Sequence, residues 1–491
     1  MESQRLLIGW ASKDASSPCP VNLPGQFYMR IAKGILDPIT VNALVIGDGS
    51  DCAIFVSCDT CIILAPLLEK ARAKVAALNP EIPVVKMLVN STHTHAAPGY
   101  WGGSKAKADS SVMTDEEYGE LLADRIAEAA CEAWARRAPG GFAYGYGFAF
   151  VANSRRVVYF DDLSKRPGNV VNSTHGLNGH AAMYGNTNDD RFSHYEAGSD
   201  HFVNILFTFD ENDKLTGALV NIPCPSQCSE NIHLQSADYW HNIREAIRAK
   251  FGRIFILGQC AAAGDLSPHI LHYKQARQRR QLLKYGKDSE YLEELTRRDI
   301  AEQVLSAFIE VYDWAKRDVR HQAPFRHVVK TVNLSRRFIT DEEYAGCKAG
   351  LKALEETPPT AGGTPEEQLQ ASSYRASGIL RYEGILKRYE EQKADPTHPM
   401  ELHVVALGDV AFTASQFELY MDFMHRIQAR SPFLQTFVAQ LTNGSAGYLA
   451  TERGEWGKGY SASMYCNIVS AQGGQELVDE TVRILKEIRS R

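Results

Sequence analysis

The chain has 491 residues, 44% of them hydrophobic and 23% charged, which is the composition of a globular protein with ample material for a core. Its 53 basic residues are outnumbered by 59 acidic ones, giving a net charge of −6 and no positive excess to hold nucleic acid or an anionic membrane. No apolar run is long enough for a transmembrane helix, and the first twenty residues lack the apolar core of a secretory leader, so a cytoplasmic location is expected.

The apolar runs at residues 42–46 and 53–56 predict two strands, and the helical spacing of 63–78 predicts a helix after them. Residues 84–89 predict a further buried strand that leads into Ser91-Thr92-His93-Thr94-His95, with Pro98-Gly99 turning the chain immediately afterwards. On a strand, residues two apart face the same way. Both imidazoles are therefore expected to reach one point, and neutral imidazole is the usual nitrogen ligand of zinc. The alternative for a bare His-x-His is a pair of surface or core histidines.

A helix with an apolar stripe is predicted over 115–137, followed by a polar stretch at 153–200 and strands at 202–209, 217–222 and 254–257. The alternation of strands and helices indicates an α/β fold with a mixed sheet core. Residues 275–317 and 341–393 are charged and helical in period, and are read as a helical insertion or cap at about 275–395 on a single domain spanning 1–491. Ten cysteines are scattered without the spacing of a disulfide scaffold, as in a reducing compartment. Cys58-Asp59-Thr60-Cys61 follows a strand and is assigned a structural role, with redox or zinc binding as the second reading.

Polar residues interrupt buried-looking segments at Asn221 to Cys228, at Gly264-Asp265-Leu266-Ser267-Pro268-His269, at Gln416-Phe417-Glu418 and at Gly447-Tyr448-Leu449. Such strand ends are where open α/β sheets build ligand crevices. Together with Thr92 to His95, and with Arg155 in Ala152-Asn153-Ser154-Arg155, these blocks resemble in type and order the catalytic domain of the neutral ceramidases, over roughly residues 7 to 480. That family consists of zinc-dependent amidases that cleave the N-acyl bond of ceramide. The resemblance implies zinc ligands at His93, Glu418 and Tyr448, with His95, Arg155 and Ser267 facing the substrate and Tyr448 available to it as well.

The family's fourth ligand is a histidine fourteen residues before an Asp in a Ser-x-Asp motif. Ser236-Ala237-Asp238 supplies that Asp, and the count lands on Cys224. A thiolate is a competent zinc ligand, so Cys224 is expected in the site, with Gln227 and Glu230 as substitutes from the same segment. The resemblance thus implies a metal-dependent hydrolase acting on a small-molecule amide. Ala96-Ala97 depart from the family's Ser-Gly, and the polar loop 172–200, with His175, His180 and His194, suits a hydrated ligand. Two alternatives follow: the same scaffold acting on a non-lipid, carbohydrate-derived substrate by hydrolysis or proton transfer, and a binding protein that has lost its zinc.

Overall fold

A computed structural model describes residues 4–101, 111–168, 179–286, 292–357 and 362–490. Eight strands form a mixed sheet in the spatial order Phe255–Cys260, Leu215–Ile222, Phe202–Asp210, Ala138–Phe148, Leu7–Asp14, Thr40–Gly47, Cys52–Cys58 and Met87–Ser91. Neighbours run antiparallel except for the outermost pair at each edge. A second sheet has the order Phe325–Ser335, Thr397–Leu407, Val410–Ala414 and Gln435–Ala439, its last pair again parallel.

The strands of the large sheet are apolar on both faces because both faces are covered. Leu44, Ile46, Phe55, Leu88, Leu219 and Leu257 pack against Val405, Leu407, Phe412 and Phe437 of the second sheet. The alternate residues Val41, Ala43, Val45, Ile54, Val56 and Val89 meet the helices Ala65–Leu78 and Asp115–Ala135. Helices Met421–Arg430 and Ala471–Arg489 close the far side of the second sheet, so the layers run helix, sheet, sheet, helix. Each fully buried Leu, Ile or Phe in these interfaces contributes roughly 1.5–3 kcal/mol through its removal from water.

Strand Ala138–Phe148 has a sequence, Ala-Pro-Gly-Gly-Phe-Ala-Tyr-Gly-Tyr-Gly-Phe, that does not read as a strand. Two of its glycines, Gly145 and Gly147, are there because helix Leu292–Ala315 lies directly on it. A Cβ at Gly145 would sit 2.2 Å from the Trp314 ring, and one at Gly147 would sit 3.0 Å from Ala307.

That helix belongs to the core, since Ile300, Val304, Phe308 and Val311 are all buried in it. The expected helical insertion at 275–395 is accordingly broken into two parts by strand Phe325–Ser335, which joins the second sheet. Helices Asp341–Glu356 and Pro365–Glu391 instead share a small cluster of their own around Cys347, Tyr382 and Ile385. Residues 358–361, between these two helices, are outside the described residues. No helix among the described residues is long and apolar enough to cross a membrane.

Candidate metal centre

The carboxyl ends of the parallel strand pairs meet: the Ala261 N–H binds the Ile222 carbonyl at 2.9 Å, the Gln440 N–H the Cys260 carbonyl at 3.0 Å, and the Ser91 N–H the Leu441 carbonyl at 3.2 Å. The loops leaving those carboxyl ends carry the polar residues picked out above, in the manner of α/β sites. The edge strand Met87–Ser91 stops two residues before His93. His93 then takes a left-handed backbone conformation, φ 61°, at a cost of about 1–3 kcal/mol for a residue other than glycine. The histidines therefore do not converge by strand alternation, as expected, but by this turn. Their Nε2 atoms are 3.4 Å apart, with the rings edge to face.

The loop after the neighbouring strand Cys52–Cys58 holds the turn in place. The Cys61 carbonyl accepts hydrogen bonds from His93 Nδ1 at 2.7 Å and Ser91 Oγ at 3.1 Å. That bond puts the His93 proton on Nδ1 and leaves the Nε2 lone pair facing the cleft. Asp59, fully buried, receives both Arg244 guanidinium nitrogens at 2.6 and 2.9 Å and the Thr92 hydroxyl at 3.2 Å. Arg30 donates to the His95 carbonyl at 2.5 Å and to the carbonyls of Ile232 and Glu230.

Glu418 and Tyr448 arrive from the second sheet as a two-residue parallel pairing, Glu418 opposite Tyr448. Gly264 makes room for them, because a Cβ there would lie 2.3 Å from the Glu418 carbonyl oxygen. Glu418 Oε2 is 3.4 Å from His93 Nε2 and 3.5 Å from Arg155. Arg155 is anchored beside Ser267 by the antiparallel pairing of Asn153–Ser154 with Leu266–Ser267. Its guanidinium donates to the Gly264 carbonyl at 2.9 Å and reaches Tyr448 Oη and Gln227 Oε1, both at 3.4 Å. Ser267 Oγ accepts the His269 backbone N–H at 3.0 Å and lies 3.3 Å from Tyr184 Oη. His93, His95, Arg155, Ser267, Glu418 and Tyr448 thus meet in one buried cluster, drawn from segments far apart in sequence.

Among solved structures, the chain matches the neutral ceramidase from Pseudomonas aeruginosa with a TM-score of 0.68 at 18% identity, covering 99% of this chain and 75% of that one. It matches a ceramidase complexed with C2 with a TM-score of 0.65 at 17% identity, covering 99% and 76%. The fold is that of the neutral ceramidases. Neither protein-family models nor curated protein sequences give a match.

Within this ceramidase fold the fourth position is not filled as expected. Cys224 is turned away from the cluster, its Sγ facing the carbonyls of Val151 at 3.4 Å and Pro225 at 3.5 Å, inside the apolar core. Burial, with Cys260 and Asp238 nearby, pushes its thiol well above the ordinary range. The chain turns tightly after strand Leu215–Ile222, with the Cys224 N–H on the Ile222 carbonyl, so the next residues reach the site instead. Gln227 Nε2 stands 2.8 Å from His95 Nε2. Asp238 holds this segment by accepting the Ser229 N–H at 2.6 Å, which is the physical use of the Ser-x-Asp motif. Glu230 bridges His95 Nδ1 and His269 Nε2, 3.3 Å from each.

Sequence reasoning missed two participants. Tyr184 comes from the polar loop, and its backbone N–H binds the Arg155 carbonyl. Cys61, assigned a structural role, lies with Sγ 3.9 Å from His93 Nδ1, and Cys61, His93 and His95 offer ligand atoms within 4.8 Å of one another. No other such group of histidine, cysteine and carboxylate ligands occurs among the described residues. The signal was available, since Cys61 follows, by three residues, a strand that neighbours the one leading to the histidines. His180 stacks on Trp456 and His194 is exposed beside Ser193; His175 is outside the described residues.

The charges agree with a cation site. Burial raises the Cys61 thiol, but His95 and His93 outweigh it and bring it down to about 6. Burial opposes protonation of His93 and His95, while Glu418 and Cys61 favour it for His93, and Cys61 and Glu230 for His95, holding both imidazoles above their ordinary value. Burial raises Glu418, yet His93 and Arg155 hold it below the usual carboxylate range. Such a cluster of buried ligands draws in positive charge, as protons or as a metal. The spacing fits a metal: two ligands at about 2.0–2.1 Å from a tetrahedral zinc are themselves roughly 3.3 Å apart, close to the separations of His93 Nε2 from His95 and from Glu418.

Proposed function

We propose that the protein is a metal-dependent hydrolase that cleaves an amide bond, its metal held at His93 with Glu418 and Tyr448. The observation that carries this reading is the placing of His95 Nε2 and Glu418 Oε2, each 3.4 Å from His93 Nε2, in a cluster taken from both sheets. A divalent ion bound there supplies Lewis acidity and a water acidic enough to ionise near neutral pH; zinc suits a donor set rich in imidazole.

The chain's own residues account for the remaining tasks. Arg155 and Tyr448 direct N–H and O–H donors into the buried cleft, where an oxyanion developing on the scissile carbonyl needs fixed donors. The His95, Glu230 and His269 chain holds protons that the leaving amine requires. Ser267 orients: its hydroxyl partners are the His269 N–H and Tyr184 Oη, neither a base that would make it a nucleophile.

The substrate best suited to this cleft is a small, hydrated amide or a carbohydrate-derived one. Tyr184, Gln227, Ser267 and His269 present polar tips around Arg155, whereas an acyl chain needs an apolar channel. The test is metal analysis of the purified protein together with hydrolysis of a panel of N-acyl amides, from N-acetyl sugars to a short-chain ceramide. Stoichiometric metal and chelator-sensitive amide cleavage are expected. A protein that neither binds divalent metal nor hydrolyses any member of the panel would overturn the proposal in favour of a binding role.

A further inference from the structure

We infer that Cys61 is a thiolate ligand of the metal, joining Glu418 and the His93 and His95 imidazoles, so that sulfur compensates for the histidine this chain lacks. The inference rests on the metal-centre reading above and goes further by naming a ligand from a different loop. Four observations lead to it. The segment expected to deliver a ligand delivers the Gln227 amide, and Cys224 is committed to the core. An uncharged amide is a poor replacement for imidazole on zinc, so the site is one strong donor short. Cys61, 5% exposed, is in the one group of histidine, cysteine and carboxylate ligands gathered within 4.8 Å among the described residues. Finally, no aligned hydrogen bond satisfies the buried His95 Nδ1, although Glu230 stands 3.3 Å from it, so the hydrogen bonding of this ring is incomplete.

The chemistry of such a set differs from an all-nitrogen-and-oxygen one. A thiolate is softer than a carboxylate and donates more charge, so Cys61 selects zinc or cobalt over magnesium, calcium and manganese. It also weakens the Lewis acidity felt by a bound water. With His95 engaged as a ligand, His269, across Glu230, becomes the residue that delivers the proton.

The test uses the full-length protein stripped of metal and titrated with cobalt(II), with the near-ultraviolet thiolate-to-cobalt charge-transfer band as readout. Wild type should show the band, Cys224→Ala should keep it, and Cys61→Ala should lose it while metal affinity falls by more than ~10-fold. Cys61→His guards against misfolding, because it should restore tight binding with no charge-transfer band. Tight cobalt binding in wild type with only d–d bands would overturn the inference and leave the hydrolase reading standing. A band lost in Cys224→Ala but kept in Cys61→Ala would also overturn it, moving the ligand to Cys224. No cobalt binding by wild type at all would overturn both readings together.

Discussion

Glu418 and Tyr448 are thirty residues apart, yet their backbones pair directly in parallel register, so the two side chains enter the cleft side by side. The same pairing sets the Tyr448 hydroxyl close to the Glu418 carboxylate, which His93 and Arg155 also face. The two residues should nonetheless fail differently when changed. Glu418→Gln removes a charged ligand and should weaken metal binding in a competition with a chromogenic chelator. Tyr448→Phe leaves the carboxylate in place and removes an oxyanion donor, so kcat should fall about 100-fold with metal content much less affected. Equal metal loss in both variants would place Tyr448 wholly on the metal.

His93→Ala should abolish metal retention and activity, whereas Ser267→Ala should lower turnover and keep the metal, because a neutral hydroxyl is a poor zinc ligand. The Ser267 effect is expected to come through His269, whose backbone N–H the hydroxyl accepts. A shifted pH profile in Ser267→Ala, with bound metal unchanged, distinguishes that positioning role from general damage. An unshifted profile with normal turnover would remove Ser267 from the site.

The sheet core was legible from sequence because most of its strands are buried on both faces and so write their hydrophobicity as unbroken runs, such as residues 42–46 and 53–56. Strand Ala138–Phe148 was not legible, since helix Leu292–Ala315 demands glycines where a strand normally carries bulky side chains. His93, Glu418 and Tyr448 could be named because each stands in a short block whose order along the chain is distinctive. Cys224 was misplaced and Cys61 undervalued for one reason. Counting along a chain assumes that intervening turns are the same, whereas the turn after Ile222 and the pairing of strands Cys52–Cys58 and Met87–Ser91 decide which side chains arrive.

Gln227 offers a direct way to vary the centre. Its amide nitrogen contacts His95 Nε2, so Gln227→His places a third imidazole beside the existing pair. We expect zinc affinity to rise by about 10-fold or more, measured by chelator competition, because the variant replaces an amide by a strong nitrogen donor. Lower affinity in Gln227→His than in wild type would mean that the histidines do not share one ion.

The buried Asp59 and Arg244 pair underlies the histidine turn, with both side chains almost wholly removed from water. Replacing Arg244 by Met leaves an uncompensated carboxylate in the core and should destabilise the protein by about 3–5 kcal/mol in urea titrations. The double variant Arg244→Met, Asp59→Leu removes both charges and should recover much of that loss. Metal affinity should fall in the double variant, where Thr92 loses its partner Asp59 one residue before His93. Wild-type stability in the single variant would show that water or another group neutralises Asp59.

Stability should also fall in acid through a histidine remote from the metal cluster. His327 is 2% exposed, donates Nδ1–H to the Cys52 carbonyl at 2.9 Å, and meets His403 Nδ1 at 2.9 Å. Burial first, then the neighbouring His403, push it down to about 3 from an ordinary 6.5, and the Cys52 carbonyl only partly opposes this. Lys86, Asp51, Glu401 and Arg72 complete its charged surroundings, as the ion pairs Lys86 to Asp51 and Arg72 to Glu401. The folded state therefore binds fewer protons than the unfolded one between about pH 6.5 and 3. The stabilisation from keeping His327 neutral is full above 6.5 and declines as pH falls through that window, by at most about 1.4 kcal/mol per pH unit for this one proton. Urea midpoints measured from pH 7 to pH 4 should follow that slope, steepened by His403, which burial also holds low. His327→Gln should flatten the acid limb while lowering stability at pH 7, where its hydrogen bonds are imperfectly replaced. An acid limb of unchanged slope in His327→Gln would mean that other groups, and not this buried pair, carry the protons taken up on unfolding.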